Sequence, residues 1–214
     1  MFITFEGIDG SGKSTQCLLL KESLEKKGHK VLVTREPGGT KTAEAIRNVL
    51  LHIHEPIEAM TEVFLYCAAR VEHVEKIILP HLAKGYIVIS DRFYDSTIAY
   101  QGGGRGLGLE KMKEINKTFI EKATPDLTFF VDTDLLTIEK RMNKKELDRI
   151  EKEGMSFMTK VRQGYLDLIA SEENEIDSEK EISRFNIIDG DLSIEEIAET
   201  VLKRVEEVLE NDRG

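Results

Sequence analysis

The chain has 214 residues, 40 of them Asp or Glu and 30 Lys or Arg, for a formal charge of −10 at pH 7. That length fits one large domain that buries on the order of 70% of its unfolded surface, and the acidic balance argues against a general nucleic-acid binder, which shows as a basic domain. Apolar residues make up 40% and charged residues 33%, an ordinary globular composition that rules out disorder as the dominant state.

No stretch approaches the ~20 apolar residues of a membrane span. The opening MFITFEGIDG has neither the basic n-region nor the long apolar run of a secretory leader. Only Cys17 and Cys67 are present, too few for a disulfide framework and without the Cys/His spacing of a zinc site. These features point to a cytoplasmic protein with no membrane or nucleic-acid partner.

In chain order, Phe2–Phe5 reads as a strand and Lys13–Lys27 as a helix closed near Gly28. Lys30–Thr34 is a second strand, followed by helices over Thr42–Leu51 and Met60–Leu82, the latter interrupted near Pro80. Tyr86–Ser90 is a third strand, Leu109–Lys122 a helix and Leu127–Val131 a fourth strand. Helices are expected over Leu135–Met142 and Glu151–Ala170, a short strand over Phe185–Ile188, and a last helix over Ser193–Leu209. Ser193 followed by Glu196 is a capping-box signature for that helix. Near-continuous apolar strands alternating with helices predict an α/β domain, a parallel sheet covered on both faces. Two segments read as mobile: Gln101–Gly108, with five glycines in eight residues, and the charge-dense Asn143–Gly154.

Directly after the first strand stands Gly7-Ile8-Asp9-Gly10-Ser11-Gly12-Lys13-Ser14, a full G-x-x-x-x-G-K-[ST] match in strand-to-helix context. Its glycines let backbone N–H groups turn onto phosphate oxygens, and the helix N-terminus adds partial positive charge. Lys13 is expected to bridge the β- and γ-phosphates, and Ser14 to help hold Mg²⁺. A nucleoside triphosphate is the implied ligand. Asp9 is out of place among groups aimed at anions; it is either a solvated side chain or a partner for a hydroxyl on a second substrate.

A second anion pocket is indicated by arginines at strand ends and on neighbouring helices. Arg35 begins Arg35-Glu36-Pro37-Gly38-Gly39-Thr40, Arg47 lies on the following helix, and Arg70 lies one turn after Tyr66. Asp91-Arg92 ends the third strand, with Asp91 available to Mg²⁺ and Arg92 to phosphate. A His52-x-His54 pair lacks a third metal ligand, and Asn143-Lys144-Lys145-Glu146 only superficially matches a guanine-reading N-K-x-D.

The runs FEGIDGSGKSTQ, TREPGGT, DRFYDSTIAYQGGGRGL, PDLTFFVD and ELDRIE, in this order, resemble the bacterial thymidylate kinase family over nearly the whole chain. The resemblance implies one P-loop NTPase domain spanning residues 1–214, a five-stranded parallel sheet flanked by helices, with a short lid at about 143–154. It implies transfer of the γ-phosphoryl of ATP to dTMP with Mg²⁺, on the route to dTTP, by a homodimer. On these residues it places Gly7 to Thr15 around the ATP phosphates and Arg141 near the adenine. Asp9 would meet the sugar 3′-hydroxyl, and Tyr66 takes the place of an aromatic that stacks on thymine. Arg70 and Gln101 would read the base edge, while Ser96 and Tyr100 line the sugar and base pocket. Arg35, Arg47 and Arg92 would hold the monophosphate beside Glu36, with Asp91 near the metal. Arg149 matches the lid arginine, completing a catalytic set with Lys13, Asp91 and Arg92. The chain departs from the family at Ala69, where relatives often carry an acid, and at Lys144-Lys145, where they often carry Arg-Gly. The rival readings are another small-molecule kinase on the same scaffold, or a P-loop switch protein.

Overall fold

The computed structural model describes every residue except 54, 121–122, 143–146, 176–182 and 212–214. Five strands, β1 (Phe2–Glu6), β2 (Val31–Arg35), β3 (Ile87–Asp91), β4 (Leu127–Asp132) and β5 (Phe185–Asp189), form one sheet. Their order is β2-β3-β1-β4-β5 and every pairing is parallel. The helices are α1 (Lys13–Lys26), α2 (Lys41–His52), α3 (Ala59–His73), α4 (Leu79–Leu82), α5 (Tyr94–Thr97), α6 (Leu109–Ile120), α7 (Leu135–Met142), α8 (Met155–Glu175) and α9 (Ile194–Asn211).

The two-residue side-chain period of the strands divides the core into two layers. Ile3, Phe5, Ile87, Ile89 and Phe129 pack against Cys17, Leu20 and Leu24 of α1 and Ile197, Val201 and Val205 of α9. Phe2, Val88 and Phe130 face the other way, onto residues of α2, α3 and α8. Both faces are therefore covered, as the unbroken apolar strands predict. The Ser193–Glu196 capping box is formed, with the Glu196 N–H donating to Ser193 Oγ at 3.2 Å and the Ser193 N–H to Glu196 Oε2 at 3.0 Å.

The long helix after residue 60 is interrupted near Pro80 as expected, by a π-turn over Val74–Ile78 that directly precedes α4 and its Pro80. Two expectations need correction. The helix expected from Glu151 begins at Met155, because residues Glu151–Glu153 form a 3₁₀ turn and Gly154 has φ of 83°.

The glycine-rich run is not a mobile loop. Ile98–Gly104 winds as a π-helix with Gln101 buried, packed against α8. A Cβ at Gly104 would lie 2.7 Å from the Phe157 ring, and one at Gly103 would lie 3.0 Å from the Gly164 Cα. These glycines serve close packing of two backbones, a use that composition alone does not distinguish from flexibility.

Candidate active site

β1, β2 and β3 deliver their C-terminal ends to one level, because Phe5 and Arg35 both pair with Asp91. In open α/β sheets that edge is where ligands bind. The phosphate loop leaves β1 through Gly7, whose φ is 141° and where a Cβ would come within 2.6 Å of the Val131 carbonyl oxygen. It enters α1 through Gly12, at φ 102°. Above the loop lies a cavity of about 550 Å³, lined by residues 9–16 together with Arg35, Glu36, Arg47, Asp91, Arg92 and Arg141. Its far wall is Gly190, Leu192, Ile194 and Ile197. Gly7 and Ile8 support the loop from beneath, with Ile8 buried in the core.

Lys13 is buried and donates to the Ile8 carbonyl at 2.8 Å. Burial, reinforced by Arg92, lowers its pKa to about 8 against the pull of Asp91, Asp9 and Glu6. Ser14 Oγ donates to the Asp91 carboxylate. A hydroxyl and a carboxylate meeting at the cavity wall form the hard-oxygen donor set that suits Mg²⁺, so these residues fit the metal. Arg141 Nη1 donates to the Gly10 carbonyl at 3.0 Å, placing its guanidinium on the rim beside the loop.

A second cavity shares Asp9, Glu36, Arg47 and Arg92 with the first and continues past Leu51, Tyr66, Ser96, Thr97, Tyr100 and Gln101. Asp9 stands at the junction, accepting from Arg92 Nη2 at 2.9 Å and from the Tyr100 hydroxyl at 3.0 Å. Burial alone would raise its carboxyl, but the Arg92 and Lys13 charges and these hydrogen bonds hold it well below the usual range. Arg92 has φ of 72°, a left-handed backbone that is strained in a non-glycine residue. Its guanidinium lies 5.0 Å from the Tyr100 ring centroid and also donates to Ser96 Oγ at 3.1 Å and the Tyr165 hydroxyl at 3.2 Å. Arg47 donates to the Pro37 carbonyl at 3.0 Å, after a cis Glu36–Pro37 bond. Arg35 borders the first cavity but not the second, and pairs with both Glu44 oxygens at 3.0 Å.

Two expected site residues sit elsewhere. Arg70 borders neither described cavity. It is 2% exposed, and its guanidinium donates to Glu36 at 2.7 Å, Asn116 at 2.6 Å, Thr97 at 3.0 Å and the Phe93 carbonyl. A buried guanidinium must satisfy its donors locally, and in this structure Arg70 holds Glu36 from outside both cavities. Arg149 is tethered to the α2–α3 region instead of facing the phosphate loop. Its Nε donates to the Leu50 carbonyl at 2.7 Å, its Nη1 to Glu62 at 2.9 Å, and its backbone N–H to the Leu51 carbonyl. The cause is Glu62, fully buried on α3, which also receives Arg105 at 3.0 Å and Gln101 Nε2 at 3.2 Å. Lys144 and Lys145 of the expected lid, like His54, lie outside the described residues.

Sequence reading missed Glu6, Glu62, Tyr165, Leu192 and Ile194. Only Glu6 left a signal: the strand alternation puts it on the inward face with Phe2 and Thr4. Burial and then Asp95 push its carboxyl up to about 7, against Arg92, Ser96 and Tyr165.

Comparison with known proteins places this geometry. Residues 5–201 match the sequence pattern of the family described as Thymidylate kinase. A thymidylate kinase of Thermosipho africanus (strain TCF52B) is 44% identical over 211 residues, covering 99% of this chain and 100% of the relative. One from Caldanaerobacter subterraneus subsp. tengcongensis is 45% identical over 208 residues, covering 97% of this chain and 96% of the relative. The crystal structure of the thymidylate kinase from Ehrlichia chaffeensis superposes with a TM-score of 0.75 at 36% identity, over 96% of this chain and 98% of that one. With likeness in sequence and fold running from end to end, this chain belongs to the thymidylate kinase family.

Proposed function

We infer that this chain transfers the γ-phosphoryl group of ATP to the phosphate of dTMP, giving ADP and dTDP. The observation that carries the reading is the meeting of two cavities at Asp9 and Arg92. One is built from the amides of the phosphate loop, the other from aromatic and amide side chains suited to a base and sugar.

On the donor side, the loop amides and Lys13 cradle the β- and γ-phosphates. Lys13, with its pKa near 8, stays mostly charged at neutral pH. Ser14 and Asp91 would hold Mg²⁺, which neutralises charge on the phosphate oxygens when bound. Leu192 and Ile194 offer an apolar wall to the adenine, opposite Arg141.

On the acceptor side, Arg92 and Arg47 hold the monophosphate and Asp9 accepts from the sugar hydroxyl. Tyr66 lies along the base. The Gln101 amide nitrogen is engaged by Glu62, which leaves the amide carbonyl to accept from the ring N–H of thymine. Arg35 meets the same phosphate from the donor cavity. An oxygen of the acceptor phosphate attacks the γ-phosphorus; the new O–P bond forms as the bond to the β-phosphate oxygen breaks, and its electrons leave on ADP. Arg92, bordering both cavities, stays close to the transferred group throughout, so catalysis is positioning and charge stabilisation.

The same reading takes the enzyme to be a cytoplasmic homodimer. Val49 on α2 and Phe64 and Val71 on α3 are exposed apolar side chains on adjacent helices, as a subunit interface requires. Both cysteines are free buried thiols, in keeping with a reducing compartment. No described helix is long and apolar enough to cross a membrane.

Coupled ADP-release assays across dTMP, dCMP, dAMP and dGMP test the reading. The expected result is fastest turnover on dTMP; faster turnover on any of the others contradicts it.

A further inference from the structure

Beside Arg92, the phosphotransfer scheme leaves two buried polar groups unused, Glu6 and Tyr165, neither of which lines either cavity. Glu6 Oε2 accepts from Ser96 Oγ at 2.6 Å and from the Tyr165 hydroxyl at 2.8 Å. The two hydroxyl oxygens lie 2.8 Å apart, and each accepts from Arg92 Nη1. Arginine can only donate and an ionised carboxylate can only accept, whereas each hydroxyl has one hydrogen and two lone pairs. The carboxylate therefore draws the hydroxyl hydrogens toward itself and leaves the lone pairs turned to Arg92. The other Glu6 oxygen accepts from the Phe93 backbone N–H at 2.7 Å, fixing the peptide that follows the left-handed Arg92.

We propose that Glu6 and Tyr165 are positioning residues for Arg92, holding its guanidinium through a hydroxyl relay and its backbone through Phe93. The assignment rests on the reading that Arg92 binds the acceptor phosphate. It accounts for a carboxylate kept at the buried end of β1 directly beneath a phosphate loop, where negative charge is otherwise unwelcome. Glutamine cannot replace it. With its carbonyl on Phe93, its NH₂ would compete with Arg92 for the hydroxyl lone pairs; turned round, its NH₂ would oppose the Phe93 N–H.

The charged and titratable groups around Glu6 are Arg92, Asp95 and Tyr165, with Lys13, Arg70 and Tyr94 also within its field and Arg184 paired to Asp95. Because burial and Asp95 raise the Glu6 carboxyl to about 7, protonation near neutrality would turn one oxygen into a donor and loosen the relay. Arg92 should hold phosphate less well at lower pH.

The test is steady-state kinetics of Tyr165→Phe and Glu6→Gln between about pH 6 and 8, with melting temperatures as a check on folding. Tyr165→Phe keeps the ring and deletes only the relay oxygen. It should raise KM for dTMP roughly five- to tenfold while KM for ATP stays within about twofold. Glu6→Gln should do the same or more, and should flatten the part of the kcat/KM profile for dTMP that falls below about pH 7 in the wild type. Ionisation of dTMP itself is common to both proteins and cancels in the comparison. An unchanged dTMP KM in Tyr165→Phe, or equal rises in both KM values, overturns the proposal. If Glu6→Gln fails to fold, Tyr165→Phe decides alone. If the wild type favours a different nucleoside monophosphate, the dTMP reading falls, and the same KM comparison with that monophosphate still decides whether the relay positions Arg92.

Discussion

The donor and acceptor cavities share Asp9, Glu36, Arg47 and Arg92 but are made of different material. The donor side is built from backbone: the loop amides with Gly7, Gly10 and Gly12, the start of α1, and exposed side chains at Ser14 and Thr15. The acceptor side is built from side chains already committed to one another: Asp9 with Arg92 and Tyr100, Gln101 with Glu62, Glu36 with Arg70 and His73. Amides aimed at a phosphate need no partner in advance, since water satisfies them until the anion arrives. Polar groups beneath a base and sugar are shut away from water and must be paired before the ligand comes. The donor side should therefore lose catalysis when cut, and the acceptor side should lose affinity or stability.

The largest expected effect sharpens that contrast on the donor side. Lys13→Ala removes a cation facing the developing charge and should lower kcat by about 10²–10³, with KM for dTMP nearly constant. A dTMP KM that rises in proportion would show that the two sides are not separable.

Arg149→Ala comes next. Its tether to Glu62 and Leu50 implies a folding role, so unfolding free energy should drop by about 1–3 kcal/mol while kcat stays within about tenfold of wild type. A kcat loss beyond about a hundredfold at an unchanged melting temperature would return Arg149 to the transferring phosphoryl group.

Gln101→Ala should raise KM for dTMP about tenfold with little change for ATP, as one unpaired group at the base implies. An unchanged dTMP KM would remove Gln101 from the acceptor side.

The smallest signal is a slope. Because the native state holds the Glu6 proton up to about 7 against 4.5 for an ordinary glutamate, the folded protein binds more protons than the unfolded chain within that window. Stability must then fall as pH rises through it, by at most ~1.4 kcal/mol per pH unit, and level off above it. Urea unfolding at both ends of the window should show this loss in wild type relative to Glu6→Gln; parallel curves would contradict it.

The contrast also explains what was legible in the sequence. The sheet and most helices follow from apolar runs, because burial on both faces forces that pattern. The phosphate loop was readable because its work is done by contiguous backbone with required glycines. On the acceptor side the arginines at strand ends were legible as an anion pocket, but the pairings between distant residues that hold the pocket were not, because local pattern does not record them. Arg70 looked like a ligand arginine until Glu36 and Asn116 closed around it. Arg149 looked like a lid arginine until buried Glu62 claimed it. Gly103 and Gly104 read as part of a mobile segment, but their meaning lies far along the chain, in Gly164 and Phe157 of α8. Tyr165 and Glu6 are separated by 159 positions, and only the fold joins them.

The central claim is that the two cavities open onto each other at Asp9 and Arg92, one taking ATP and the other dTMP. Calorimetry with adenosine and thymidine joined 5′ to 5′ through a polyphosphate chain tests it directly. If both halves seat together, linkage should tighten binding about 10²-fold or more over the better of ATP and dTMP, and both Lys13→Ala and Gln101→Ala should weaken it. Binding no tighter than the better single nucleotide would mean the cavities do not form one site, and would contradict the account.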